Sequence, residues 1–115
     1  MALLNILVYP NEKLKQVSQP VEEFSEDLKK FIENLEETFR SFSGCVGIAA
    51  PQVGRFERIV LVDISHKPKH VNHGFLVLIN PEVIFYEGNS LGREGCLSVP
   101  GFIGKVERSK SITLK

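Results

Sequence analysis

Apolar residues recur at spacings of three and four between positions 28 and 42. Leu28, Phe31, Ile32, Leu35, Phe39 and Phe42 form the stripe, and Glu, Lys and Asn fill the other faces. This period predicts an amphipathic helix over roughly residues 25–42, with Ser25 as its N-cap and Gly44 as its stop. Before it, residues 3–8 are apolar and predict a short strand or a buried extended arm. Asn11 is placed to cap a single helical turn, which Gln19-Pro20 ends. After the helix the period shortens. Residues 58–64 are β-branched and continuous, which predicts a buried strand. Residues 75–79 and 82–86 predict two more, divided by Asn80-Pro81, and Glu87-Gly88-Asn89 turns the chain. Residues 105–107 and 111–114 predict the last strands. Residues 65–74 are a polar loop that holds all three histidines, His66, His70 and His73.

One long N-terminal amphipathic helix packed on short, mainly antiparallel strands is an α+β pattern. A single helix set against a sheet of five or more strands predicts one bare sheet face. Residues 111–115 read as strand with nothing after them. The expectation is therefore one domain over 1–115, forming the N-terminal two-thirds of a longer domain.

Composition narrows the partners. The chain has 115 residues, 43% hydrophobic and 24% charged, ordinary values for a globular domain. Lys plus Arg total 14 and Asp plus Glu total 14. Zero net charge offers no electrostatic case for nucleic acid or an anionic membrane. No apolar run approaches the roughly 20 residues that span a bilayer. The N-terminus has neither a basic start nor a small-residue cleavage site. Cys45 and Cys96 make no disulfide framework, so a reducing compartment is expected: bacterial cytoplasm, or an organelle interior.

Two short stretches carry candidate chemistry. Glu94-Gly95-Cys96-Leu97-Ser98 sets a thiol in a Gly-containing backbone. Cys96 reads as a small buried hydrophobe, a nucleophile or a metal-ligand thiolate. The nucleophile reading needs a base, and only loop histidines are on offer. Cys45-Val46-Gly47-Ile48-Ala49-Ala50-Pro51-Gln52 sets a carboxamide after small residues. Gly47, Ala49 and Ala50 allow close approach of another backbone or an extended ligand. Gln52 offers an N–H donor where charge develops on an attacked carbonyl. The plainer alternative is a tightly packed corner with Gln52 at the surface. Phosphate-binding loops are excluded by pattern, with neither Gly-x-Gly-x-x-Gly nor a Gly-Lys-Ser/Thr ending.

Taken in this order, the two stretches resemble peptide deformylases, whose motifs read Gly-φ-Gly-φ-Ala-Ala-x-Gln (φ apolar) and Glu-Gly-Cys-Leu-Ser. The opening Tyr9-Pro10-Asn11-Glu12-Lys13-Leu14 and the segment Leu78-Ile79-Asn80-Pro81 are also similar to the family's. One position departs: Cys45 stands where the first glycine is expected. Its side chain would crowd a substrate strand unless its φ is negative.

The resemblance implies a metal-dependent amide hydrolase. It would remove the formyl group from the N-terminal formyl-methionine of nascent proteins, a step of protein biosynthesis that places it near the ribosome. The implied cofactor is a divalent metal, Fe2+ in the family with Zn2+ or Ni2+ as substitutes, that lowers the pKa of a bound water. By residue, Cys96 is the implied metal ligand. Gln52 and the Leu97 N–H are the implied oxyanion donors. Val46, Gly47, Glu94 and Gly95 are implied to hold the peptide, Gly47 by strand pairing and Val46 at the methionine pocket. Glu94 is expected to be braced by Arg108.

The family's third motif, His-Glu-x-x-His on a C-terminal helix, has no counterpart here, since no His-Glu pair occurs in the sequence. His66 and His70 have the i, i+4 spacing, but Pro68 between them opposes a helix. They read as solvated loop residues. Metal binding is accordingly expected to be weak or absent in these 115 residues and turnover is not expected from them alone. The bare sheet face is expected to favour self-association. The reading from a different class is a non-catalytic module that holds formyl-methionyl peptides. A thiol hydrolase using Cys96 and a loop histidine is a third.

Overall fold

The computed structural model describes residues 3–65 and 73–115. The amphipathic stripe forms helix α1, Glu26–Arg40. The Ser25 hydroxyl accepts from the Leu28 N–H, which satisfies one of the orphan donors of the first turn. Glu26 and Asp27 sit at the positive end of the helix dipole and Arg40 at the negative end. The helix stops at Ser41, short of Phe42, which is exposed. Gly44 follows at φ 77°, a conformation that favours glycine.

Strands β1 (Gly47–Ala49), β2 (Ile59–Val62) and β3 (Leu76–Ile79) form an antiparallel sheet in that order. Burial alternates along β2, with Ile59 and Leu61 fully buried, as period two demands of a half-covered strand. Leu28, Leu35 and Phe39 of α1 join Ile48, Ile59 and Leu61, with Val21 and Ala50, in one core. Fully burying each such side chain contributes about 1.5–3 kcal/mol.

Most of the chain from Val83 onward lies outside that core. Strand β4 (Val83–Glu87) pairs with β7 (Ser111–Leu114), and β5 (Ser90–Cys96) pairs with β6 (Val99–Arg108). The expected sheet of five or more strands is thus three small antiparallel sheets, and α1 covers only the first. Val83, Phe85, Tyr86, Leu91, Phe102, Ile103 and Ile112 are all more than half exposed.

The β5–β6 hairpin was only partly expected, at residues 105–107. Gly92, Gly95, Gly101 and Gly104 mask any strand propensity there. It forms through backbone pairing from Ser90↔Arg108 to Gly95↔Ile103. The register then jumps to Cys96↔Val99, leaving Pro100-Gly101-Phe102 looped out, with Gly101 at φ 80°. β1 forms at residues where the packed corner is one of two alternatives, and no strand is predicted there.

Residues 3–8 form no strand. They run as an extended arm, the second of the two expected forms. Leu4 and Ile6 pack on the core, and the Leu4 N–H donates to the buried Thr38 hydroxyl at 2.8 Å. Asn11 caps a single 3-10 turn, Glu12–Lys15, as its position suggests. Asn80 makes a second long-range tie. Its side chain accepts from the Val21 N–H at 2.7 Å and donates to the Val21 carbonyl at 2.9 Å. No helix among the described residues is long and apolar enough to cross a membrane.

Candidate active site

Gln52 lies in a short 3-10 turn, Ala50–Val53, directly after β1, with Pro51 fitting the first turn. Its Oε1 accepts from the Ala49 N–H at 3.0 Å. This bond orients the carboxamide, so that Nε2 points the other way. Nε2 donates to the Cys96 Sγ at 3.4 Å and to the Ser98 Oγ at 3.3 Å. The two stretches singled out in the sequence therefore meet side chain to side chain.

The same bond fixes the direction of the β1 edge. The Ala49 N–H is directed away from β2, and in an antiparallel pair the residue two positions back faces the same way. The Gly47 N–H and C=O thus lie on the open edge of the sheet. The Gly47 carbonyl accepts weakly from the Cys45 Sγ at 3.4 Å. A Cβ at Gly47 would lie 3.4 Å from the Leu61 carbonyl oxygen. The closest backbone at Gly47 is therefore its own sheet partner.

Between this edge and the end of the hairpin runs an open cleft of about 390 Å3. Cys45, Val46 and Gly47 line one wall, and Gly95, Cys96 and Leu97 the other. Leu97 is half-buried against the core, so it anchors the hairpin tip. Cys96 is exposed, which excludes the reading of a small buried hydrophobe. Cys45 does not have a positive φ and packs its side chain against the core. Burial pushes its thiol pKa up, the Gly47 carbonyl pulls it down, and the nearby Cys96 adds to the rise.

Glu94 stands outside this cleft. Its carboxylate receives two bonds from the Arg108 guanidinium, at 3.0 and 2.8 Å, as the sequence suggests. The guanidinium holds the Glu94 pKa below the usual carboxylate range. The pair lies across the β5–β6 hairpin and braces it.

Three supports were not legible in the sequence. Ser98 is buried and bonds Gln52, yet Ser after Leu in a Gly-rich segment reads as an ordinary turn residue. Asp63 is buried at the end of β2; its N–H donates to the Val46 carbonyl at 2.9 Å. Bonds from Ser65, then Arg40, lower its pKa to about 2. Arg40 is stacked over Phe75 at 4.7 Å, which ties α1 to this corner. The third support is the N-terminal arm. The Leu7 N–H donates to the Gln52 carbonyl and the Tyr9 N–H to the Ser98 carbonyl, each at 2.6 Å. One strap thus holds both stretches.

Cys96 is the exposed thiol at this site, and Cys45 lines the opposite wall half-buried. Among the described residues no three His, Cys, Asp or Glu side chains cluster to hold a metal ion. His66 and His70 lie outside the described residues. His73 is exposed in its loop.

Comparison with known proteins identifies relatives of the whole chain. The chain matches the family described as Polypeptide deformylase over residues 3–115. It is 44% identical over 115 residues to the peptide deformylase of Thermodesulfovibrio yellowstonii, covering 100% of this chain and 68% of that protein. A crystal structure of a Legionella pneumophila peptide deformylase superposes with a TM-score of 0.86 at 36% identity, over 97% of this chain and 63% of that one. A Met-Ala-Ser-bound class I type b peptide deformylase from Acinetobacter baumannii gives a TM-score of 0.87 at 30% identity, over 97% of this chain and 74% of that one. Sequence and fold agree from the arm to the last strand, and the chain belongs to the peptide deformylase family.

Proposed function

We propose that these residues form the peptide-binding and oxyanion-stabilising part of a deformylase site that acts on N-terminal formyl-methionine. The observation that carries this is the Gln52 carboxamide, locked by Ala49 and donating to Cys96, a residue that lines the cleft. The open β1 edge at Gly47 suits pairing with an extended peptide, and Val46, which lines the cleft, would meet the methionine side chain. The Met-Ala-Ser peptide held by the Acinetobacter relative is of the size and chemistry this reading requires. Gly95 keeps the facing wall low, since it has no side chain to fill the cleft. Glu94 acts through Arg108, by holding the hairpin that carries Cys96. Gln52 Nε2 and the Leu97 N–H would donate to the oxygen that gains charge when the formyl carbon is attacked.

A divalent metal, Fe2+ or its substitutes, would supply the activated water, and Cys96 is the residue here that would hold it. The donor set is incomplete, because no three His, Cys, Asp or Glu side chains come together among the described residues. The described residues do not supply the imidazole pair and the carboxylate base that the resemblance implies, and no His-Glu pair occurs in the sequence. On this reading they bind formyl-methionyl peptides, hold metal weakly, and do not turn the substrate over unaided.

A hydrolysis assay with formyl-Met-Ala-Ser, run with added Fe2+ or Zn2+ and again with chelator, tests this. Binding without turnover is expected. Chelator-sensitive turnover by the 115 residues would show that the ligand set is complete after all. Turnover that resists chelators and is lost on alkylation would replace the metal reading with thiol chemistry.

A further inference from the structure

Cys45 is the residue that departs from the family pattern, and it falls in the cleft opposite Cys96. Each thiol is tied to the same edge of β1. Cys45 Sγ sits 3.4 Å from the Gly47 carbonyl, and Cys96 Sγ sits 3.4 Å from the Gln52 amide that caps Ala49. Both side chains line one open cleft of about 390 Å3. Cys45 lies between α1 and β1, outside both, so it can shift without breaking either element. A disulfide needs Cα atoms roughly 4.4–6.8 Å apart, so forming the bridge requires the segment between α1 and β1 to bring Cys45 within that reach of the hairpin tip.

We propose that Cys45 and Cys96 form an intramolecular disulfide across the cleft when the chain meets a hydroperoxide. Cys96 is exposed and Cys45 half-buried, so Cys96 reacts first. Its thiolate attacks the distal peroxide oxygen. The O–O bond breaks, the alcohol or water leaves, and Cys96 becomes a sulfenic acid. The Cys45 sulfur then attacks the Cys96 sulfur. The S–O bond breaks, water leaves with the Cys45 proton, and the S–S bond forms. The peroxide is the two-electron oxidant. The bridge blocks the cleft and, on the function proposed above, withdraws the metal-ligand thiolate. A relative with glycine at this position would lack the resolving thiol.

The test is intact mass and peptide mapping after hydrogen peroxide treatment and alkylation. The expected product is a monomer lighter by two hydrogens, unreactive to alkylator, with the Cys45 and Cys96 peptides linked and dithiothreitol restoring both thiols. Oxygen adducts on Cys96 beside an alkylated Cys45, or bridges only between chains, would overturn the proposal. Cys45→Gly installs the family's residue. It should abolish the two-hydrogen loss and leave Cys96 oxygenated or linked between chains; a two-hydrogen loss that persists would also overturn it. Prior addition of Zn2+ separates the two readings. Slower bridging supports Cys96 as a ligand, whereas unaltered bridging leaves the disulfide standing and counts against the metal assignment.

Discussion

Replacing Thr38 by Val tests whether the N-terminal arm is a strap for the site or merely packing on the helix. The two side chains have nearly the same shape and similar helix propensity, so only the hydroxyl is lost. Thr38 is 1% exposed. Its Oγ1 accepts from the Leu4 N–H at 2.8 Å and donates to the Asn34 carbonyl at 2.9 Å. The Asn34 carbonyl keeps its helical partner. The Leu4 N–H loses the bond that holds the arm on α1. Leaving a buried donor unpaired costs about 1–3 kcal/mol, and Leu4 is only partly buried, so water recovers some of it. The expected loss is about 1–2 kcal/mol, read as a shift in the urea midpoint at unchanged m-value. Hydrogen exchange gives the sharper readout. Leu7 and Tyr9, whose amides donate to Gln52 and Ser98, should exchange faster by more than the global loss accounts for. Leu35 and Phe39, inside α1, should follow the global change alone. Unaltered protection at Leu7 and Tyr9 would refute the strap, whatever happened to overall stability.

Other outcomes follow from the same geometry. Asn80 holds φ 53° and bonds both backbone groups of the buried Val21; Asn80→Ala should cost about 2–4 kcal/mol in denaturant unfolding. Asn80→Gly, which suits that φ but lacks the bonds, should cost less than the alanine variant. The depressed pKa of Asp63, about 2, means that its stabilising contribution is fully present above the ordinary carboxylate value near ~4 and is lost as pH falls through about 2. Acid titration of stability should show that slope in the parent and a flatter one in Asp63→Asn. Phe39 fills the centre of the core at 2% exposure; Phe39→Ala should cost about 3–5 kcal/mol by thermal or urea unfolding. The exposed apolar strands β4–β7 should make the chain self-associate with rising concentration, seen by sedimentation, and Phe85→Lys should weaken that association.

The helix and its cap were legible because a 3.6-residue period and a Ser before Glu-Asp are local signals, and the local answer agrees with the packing. The single 3-10 turn behind Asn11 was legible for the same reason. The β5–β6 hairpin was not. Gly92, Gly95 and Gly104 have no side chains to show alternation, and the strands exist through pairing with each other. The number of sheets was also hidden, because strand signals carry no information about which strand adjoins which. That Gln52 and Cys96 belong together came from resemblance rather than spacing, and the two side chains touch in the structure. The supports around them, Ser98, Asp63 and the ties made by the arm, depend on contacts between residues far apart in sequence, as does the Asn80–Val21 tie. No window along the chain contains that information.

The account rests most heavily on a peptide-binding edge at Gly47 facing the Gln52–Cys96 pair. Titrating the isotope-labelled chain with formyl-Met-Ala-Ser while following amide resonances tests it in one experiment. The account predicts that the Gly47 and Leu97 backbone N–H signals and the Gln52 side-chain NH2 pair shift together, with one affinity. Shifts confined to the β4–β7 strands, with those three groups unmoved, would contradict it.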